Sequence, residues 1–197
     1  MTLTKRLILA SRSPRRLSLL RQIGFSPEVI PCDIPEDFDA AKSPDENARF
    51  LAREKAWTVA RSVADGYVVA ADTIVVVDGL MLGKPVDWDD AVRMLSLLNG
   101  RTHEVVTAFA IIDRPSGKER VEAETTRVTF RPMSREEIVS YVDGGSPMDK
   151  AGAYGIQDDY GAVFITRIEG CFYNVVGLPL AKFHLTLSDF QSHLMQR

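Results

Sequence analysis

The chain has 197 residues, 45% hydrophobic and 26% charged, with a formal net charge of −3. This length predicts a single domain, residues 1–197, that buries roughly 70% of its unfolded surface. The acidic balance argues against nucleic acid as a partner drawn in by bulk charge, and no apolar run reaches the ~18 residues of a membrane span.

Cys32 and Cys171 lie far apart, without disulfide-framework or metal-ligand spacing, and the opening "MTLTKRLILAS" lacks the long apolar core of a signal peptide. A cytoplasmic protein is expected. Strand-like and helix-like segments alternate, which predicts an α/β protein. "RLILA" (Arg6 to Ala10) reads as a buried strand. Ser13 then caps a helix with Pro14 in its first position and Gly24 just past its end, with Leu17, Leu20 and Ile23 as its stripe. Ser43 and Glu46 form a capping box for a second helix. "YVVAA" and "TIVVV" are apolar runs split by Asp72 and closed by the turn pair Asp78-Gly79. Asp87 caps a third helix carrying Ala91, Met94, Leu95 and Leu98, and Asn99-Gly100 ends it. A hairpin around "RPSG" follows, then a helix from Ser134 to Gly144-Gly145, a glycine-rich segment, the strand "AVFITRI" and a closing helix, "GLPLAKFHLTLSDF".

Five features are candidates for chemistry. The helix opened by Ser13 begins with Arg12, Arg15 and Arg16 around its first turn, although a helix N-terminus, with roughly +0.5 elementary charge, prefers acids. Two readings fit: an anion pocket of N–H groups, serine and arginines that would hold a phosphate, or a solvated basic turn. Lys55 falls inside the stripe Ala48, Leu51, Ala52, Ala56, Val59, Val63. It either finds a buried partner or packs its stem and sends the ammonium to water. Asp72 interrupts a run that is otherwise apolar apart from Thr73. An ionised carboxylate there needs a metal, a cation or a proton-transfer role; the alternative is a bulge or turn in which it bonds nearby backbone N–H groups. Lys84 in "LGKP" reads by itself as a loop residue. "MDKAGAYGIQ" reads as a tight connection whose terminal Gln157 offers donor and acceptor to a base edge. Cations gathered around one carboxylate in an acidic protein point to metal-assisted hydrolysis of a phosphate ester or anhydride. No "GxxxxGK[ST]" occurs, which argues against a P-loop nucleotidase.

Together "LASRSPRR", "LAREKA", "ADTIVVVDG", "LGKP", "GRTHEVVTA", "YVDGGSPMDKAGAYGIQ" and "NVVGLPL" resemble the Maf family of nucleoside triphosphate pyrophosphatases, in order and over nearly the whole chain. The resemblance implies an elongated mixed sheet with flanking helices and two lobes around a central cleft, related to the inosine triphosphate pyrophosphatases. It implies cleavage between the α and β phosphorus atoms, giving monophosphate and pyrophosphate, with a divalent cation such as Mg or Mn. By motif, Ser11, Arg15, Arg16, Lys55 and Lys84 bind phosphate, Glu36 is linked to the metal, and Asp72 is either the proton acceptor or a second metal ligand, two roles it cannot freely combine. Arg15, Thr73 and Gln157 resemble the subtype acting on dTTP, UTP and modified pyrimidine nucleotides. The 7-methyl-GTP subtype resembles Trp in the first of these places and Glu in the last. Two departures touch the base-reading end: "DDYG", with Asp158 and Asp159, follows Gln157 where a glycine is usual, and "GSP" at Gly145 to Pro147 replaces "GEP". The rival reading is a nucleotide-binding regulator of cell division with little catalysis. Phe50 and Trp57 lie off the second helix's stripe, as candidates for another packed layer or a homodimer contact.

Overall fold

The computed structural model describes residues 2–157 and 160–195; Asp158 and Asp159, the first departure named above, lie outside the described residues. The elements run β1 (Leu7–Leu9), α1 (Pro14–Gln22), β2 (Glu28–Val29), α2 (Pro44–Ala60), β3 (Gly66–Val77), β4 (Leu80–Leu82), α3 (Trp88–Leu98), β5 (Thr102–Arg114), β6 (Glu119–Phe130), α4 (Arg135–Asp143), β7 (Ile165–Glu169), α5 (Phe172–Val176) and α6 (Leu180–Met195). Among the described residues the strands form one mixed sheet, ordered β2-β1-β3-β5-β6-β7, with β4 paired to β3. The fold is mixed α/β, as expected.

The chain divides into two compact units: one comprises Met1–Asp72, Thr107–Glu124 and Gly177–Arg197, the other Thr73–Val106 and Thr125–Val176. In the first, β1 pairs in parallel with β2 and with β3, Ile8 lying opposite Glu28 on one side and Val68 on the other. A parallel strand buried on both faces reads as an unbroken apolar run, and Leu7, Ile8 and Leu9 are all buried. Phe109 and Phe183 pack edge to face with centroids 5.5 Å apart, and Phe25 meets Phe183 at 6.3 Å. Trp57 is half-buried, and its Nε1 donates to Glu119 at 2.6 Å. Phe50 stays exposed, with the Lys42 ammonium over its ring. On α1 the buried pair is Leu19 and Leu20, whereas Leu17 and Ile23 are half-buried, so the apolar face is rotated from the expected stripe.

In the second unit, Asp78 and Gly79 both take positive φ, 48° and 79°, and close the β3–β4 hairpin. The stripe of α3 is the predicted one: Ala91, Met94, Leu95 and Leu98 are its buried residues. The expected strand "AVFITRI" begins late. Tyr160–Phe164 form a 3₁₀ turn and β7 starts at Ile165, because the β6–β7 register shifts between Thr129 and Phe130. There the Arg131 amide donates to Phe164 O at 2.8 Å, and Phe164 is fully buried.

His103 is part of this core. Its Nε2 lies 2.8 Å from Tyr154 Oη, its ring stands edge-on to Phe130 at 4.9 Å, and its Nδ1 is buried with no hydrogen-bond partner among the described residues. Burial drops its pKa from 6.5 to about 4, so the folded state holds it neutral. The unfolded chain binds a proton between those values and the folded chain does not, so stability is full above pH 6.5 and is lost as pH falls toward 4. Urea unfolding at pH 7.5 and pH 4 is expected to show a loss of about 3 kcal/mol from this group. His103→Gln, which does not titrate, is expected to lack that component.

Candidate functional site

Asp72 sits in mid-strand. β3 runs continuously from Gly66 to Val77, so Asp72 is in regular strand and the bulge or turn reading does not apply. It is 4% exposed, and strand alternation puts it on the face of Val68 and Ala70. An aspartate buried this far needs a counter-charge, and Lys55 supplies it: Nζ donates to Asp72 Oδ1 at 2.5 Å. The same ammonium donates to Glu36 Oε1 at 2.7 Å.

Lys55 reaches this place because α2 starts where its sequence says it does. The Ser43 hydroxyl accepts from the Glu46 N–H, and the Glu46 carboxylate accepts from the Ser43 N–H. That start sets the phase that buries Ala48, Leu51, Ala52, Ala56 and Val59, with Lys55 among them. The snorkelling alternative does not hold, as the Lys55 side chain is 8% exposed. Three alanines in the stripe leave room for the stem.

The backward polarity of α1 has a local explanation. Ser13 caps the helix through the Arg16 N–H, and Ser11 Oγ accepts from the Ser13 N–H at 3.1 Å and from Arg16 Nη1 at 3.5 Å. Arg16 Nε donates to the Gly177 carbonyl at 2.9 Å. Burial pushes the Arg16 pKa down, while Asp72 and Glu36 pull it up and Arg15 adds repulsion. Part of the anionic partner that the arginines require is therefore the protein's own carboxylate pair. Arg12 stands apart from this group: it forms an exposed fork with Asp33 at 2.7 and 3.3 Å.

Ser11, Arg16, Glu36, Lys55 and Asp72 thus form one connected cluster within the first unit, with Arg15 in electrostatic contact with it. Thr73, Lys84 and Gln157 belong to the second unit. Thr73 and Gln157 are half-buried and Lys84 is exposed. There the Gly152 N–H donates to the Gly83 carbonyl at 2.9 Å, which ties "MDKAGAYGIQ" to "LGKP". Only glycine serves at 152: φ is +68°, and a Cβ would stand 2.9 Å from Val75 Cγ2. Pro147 of "GSP" is buried in a 3₁₀ turn.

Glu36 and Asp72 direct oxygens at a common point, the Lys55 nitrogen. Among the described residues no group of three or more His, Cys, Asp or Glu side chains forms a metal cage. Two carboxylates nevertheless suit a hard divalent cation whose remaining ligands are water and substrate phosphate oxygens, so the donor set fits one. Two contributors escaped the sequence reading. The Gly177 carbonyl is backbone and leaves no side-chain signal. Asn47 holds the segment that follows Glu36, and its trace is a buried polar residue beside a helix start already capped by Ser43.

The family model described as Maf-like protein matches residues 6–190. A dTTP/UTP pyrophosphatase of Syntrophomonas wolfei is 50% identical over 188 residues, covering 95% of this chain and 99% of its own length. Proteins of the same name from Carboxydothermus hydrogenoformans (45%; 94% and 98% covered) and Chlorobaculum tepidum (46%; 95% and 96% covered) are similar. Among solved structures, the Staphylococcus aureus Ham1 protein aligns with 64% of this chain and 72% of its own at 16% identity, with a TM-score of 0.47.

The coupling of the buried cation to its acids is measurable. Lys55→Met leaves the Asp72 carboxylate buried without its ammonium and is expected to lower the urea-unfolding free energy by about 3 kcal/mol. Adding Asp72→Asn is expected to recover part of that loss. Equal stability of Lys55→Met and the parent chain would contradict the pairing.

Proposed function

Since the chain belongs to the Maf family, we propose that it is a nucleoside triphosphate pyrophosphatase acting on dTTP, UTP and modified pyrimidine nucleotides, releasing the monophosphate and pyrophosphate. The observation that supports this best is the buried Lys55 ammonium shared by Asp72 and Glu36 beside Arg16. Two carboxylates, an ammonium and a guanidinium in one cluster support a reading that needs a base, hard oxygen donors and phosphate-binding cations.

In this reading the whole chain works as one Maf-like domain. Asp72 accepts a proton from water as that water attacks the α-phosphorus, the bond from the α-phosphorus to the bridging oxygen breaks, and pyrophosphate leaves. Arg15, Arg16, Ser11 and the N–H groups opening α1 bind phosphate oxygens, and Lys55 and Lys84 spread charge relief over the departing pyrophosphate. The family suggests a general need for a divalent cation. Glu36 would hold Mg or Mn, which when bound polarises the α-phosphoryl group, with Asp72 the alternative ligand if it is not the base. Lys55 now bonds both carboxylates, so its transfer to phosphate would leave their oxygens open to the cation.

Gln157 would read the pyrimidine edge, since an amide meets both the carbonyl oxygens and the N3–H of thymine or uracil. A Glu there would repel the carbonyl oxygens. Arg15 and Thr73 complete the pattern for this subtype. Among the described residues no helix is long and apolar enough to cross a membrane. A cytoplasmic enzyme is proposed, with Phe50, one of several exposed aromatics, as a point where two copies would meet.

Pyrophosphate release from a panel of triphosphates, with and without Mg, tests the reading. The regulator alternative predicts binding without release. Asp72→Asn is expected to reduce turnover by at least ~10³-fold while the protein still unfolds cooperatively, and near-parental activity would refute the assignment. Gln157→Glu is expected to lower kcat/KM for dTTP and UTP relative to purine triphosphates; an unchanged ranking would remove Gln157 from base recognition.

A further inference from the structure

We propose that Asn47 is a positioning residue for Glu36, an inference that rests on the metal-linked role given to Glu36 above. Glu36 lies in a stretch, residues 30–39, without regular secondary structure. A carboxylate on such a stretch depends for its place on the points at which the stretch is held, which include its two ends as well as the exposed Arg12–Asp33 fork within it. The upstream end is held by the sheet, where the Ile30 N–H donates to the Leu9 carbonyl at 3.1 Å. At the downstream end, beside local bonds from the Ala41 and Lys42 N–H groups and the Lys42 ammonium to Asp39, the helix reaches back through one buried side chain. Asn47 Oδ1 accepts from the Asp39 N–H at 2.8 Å. Its amide nitrogen donates to the carbonyls of Asp39, Lys42 and Ser43 at 3.0, 3.2 and 3.1 Å. Asp39 is therefore gripped through both of its backbone groups, and Glu36 is three residues away, at most about 11 Å of chain.

These bonds are not needed to start α2. Ser43 and Glu46 already satisfy that terminus reciprocally, and the Asn47 backbone N–H makes an ordinary helical bond to Ser43 O at 3.0 Å. The Asn47 side chain is instead directed back over residues 39–43. It is 1% exposed, and an amide buried this far with both ends satisfied has few other orientations. Asn47 and Lys55 share α2, so the residue that holds the chain beside Glu36 and the residue that bonds its carboxylate move as one rigid element. The Glu36–Lys55–Asp72 geometry is thus set from the helix at two points.

The test is a double-mutant cycle read by Mn²⁺ binding rather than turnover, so that inactive variants remain measurable. Mn²⁺ affinity is measured by electron paramagnetic resonance in the presence of α,β-methylene-dTTP for the parent chain, Asn47→Ala, Glu36→Gln and the double variant. Thermal unfolding confirms that each is folded at the measuring temperature. Asn47→Ala is expected to weaken Mn²⁺ binding about 10–100-fold, the usual effect of losing a partner that orients a ligand. In the Glu36→Gln background the same change is expected to cost less than about twofold. An equal loss in both backgrounds, or parental Mn²⁺ affinity in folded Asn47→Ala, would overturn the proposal. Asn47→Asp keeps the acceptor for the Asp39 N–H and carries the same cycle if the alanine variant does not fold. Parental Mn²⁺ affinity in Glu36→Gln would instead refute the metal role of Glu36, which separates that failure from this one.

Discussion

One buried ammonium organises this protein's candidate chemistry. Lys55 stands inside an alanine-rich helical stripe, where an unpaired charge would cost several kcal/mol, and two carboxylates make the position tenable. The constraint runs in both directions. Asp72 needs a cation in mid-strand, Lys55 needs an acid in its apolar stripe, and α2 must present the lysine at the right turn. Strand, helix and loop are thereby fixed to one point, and the same point offers hard oxygen donors and a base. A protein with net charge −3 can still gather a polyanion if its cations are local. Arg16, buttressed by Ser11 and the Gly177 carbonyl beside the acid pair, shows how that locality is built.

The regular elements were legible because their signals are short-range. Ser43, Asp87 and Ser134 each cap where a cap residue precedes an apolar period, and Asp78-Gly79 turns the chain where two positive φ values are required. Lys55 and Asp72 were legible as misfits, a charge in an apolar stripe and an acid in an apolar strand. Their partnership was not, since no local signal joins residues 17 apart on different elements. The late start of β7 was hidden for a related reason: a register shift on β6 decides it, not the composition of "AVFITRI". Leu19 displaced Leu17 on α1 because a nine-residue helix with Pro14 and three arginines around it carries too little apolar period to fix its rotation. The Asn47 and Gly177 contacts depend on tertiary folding and on backbone atoms, which sequence patterns do not display.

The two compact units hold different kinds of candidate residue. The first carries the charged cluster, in which every member is restrained by at least one other. The second carries Thr73, Lys84 and Gln157 on a hairpin and a glycine-dependent segment joined by the bond from Gly152 to Gly83. Gln157, proposed to read the base, thus belongs to a different unit from the Lys55 network.

Hydrolysis of dTTP in ¹⁸O-labelled water probes the core assertion: that water deprotonated beside the shared lysine attacks the innermost phosphorus. One ¹⁸O atom in dTMP, with unlabelled pyrophosphate, is expected. Label in pyrophosphate, or the appearance of dTDP and inorganic phosphate, would contradict it.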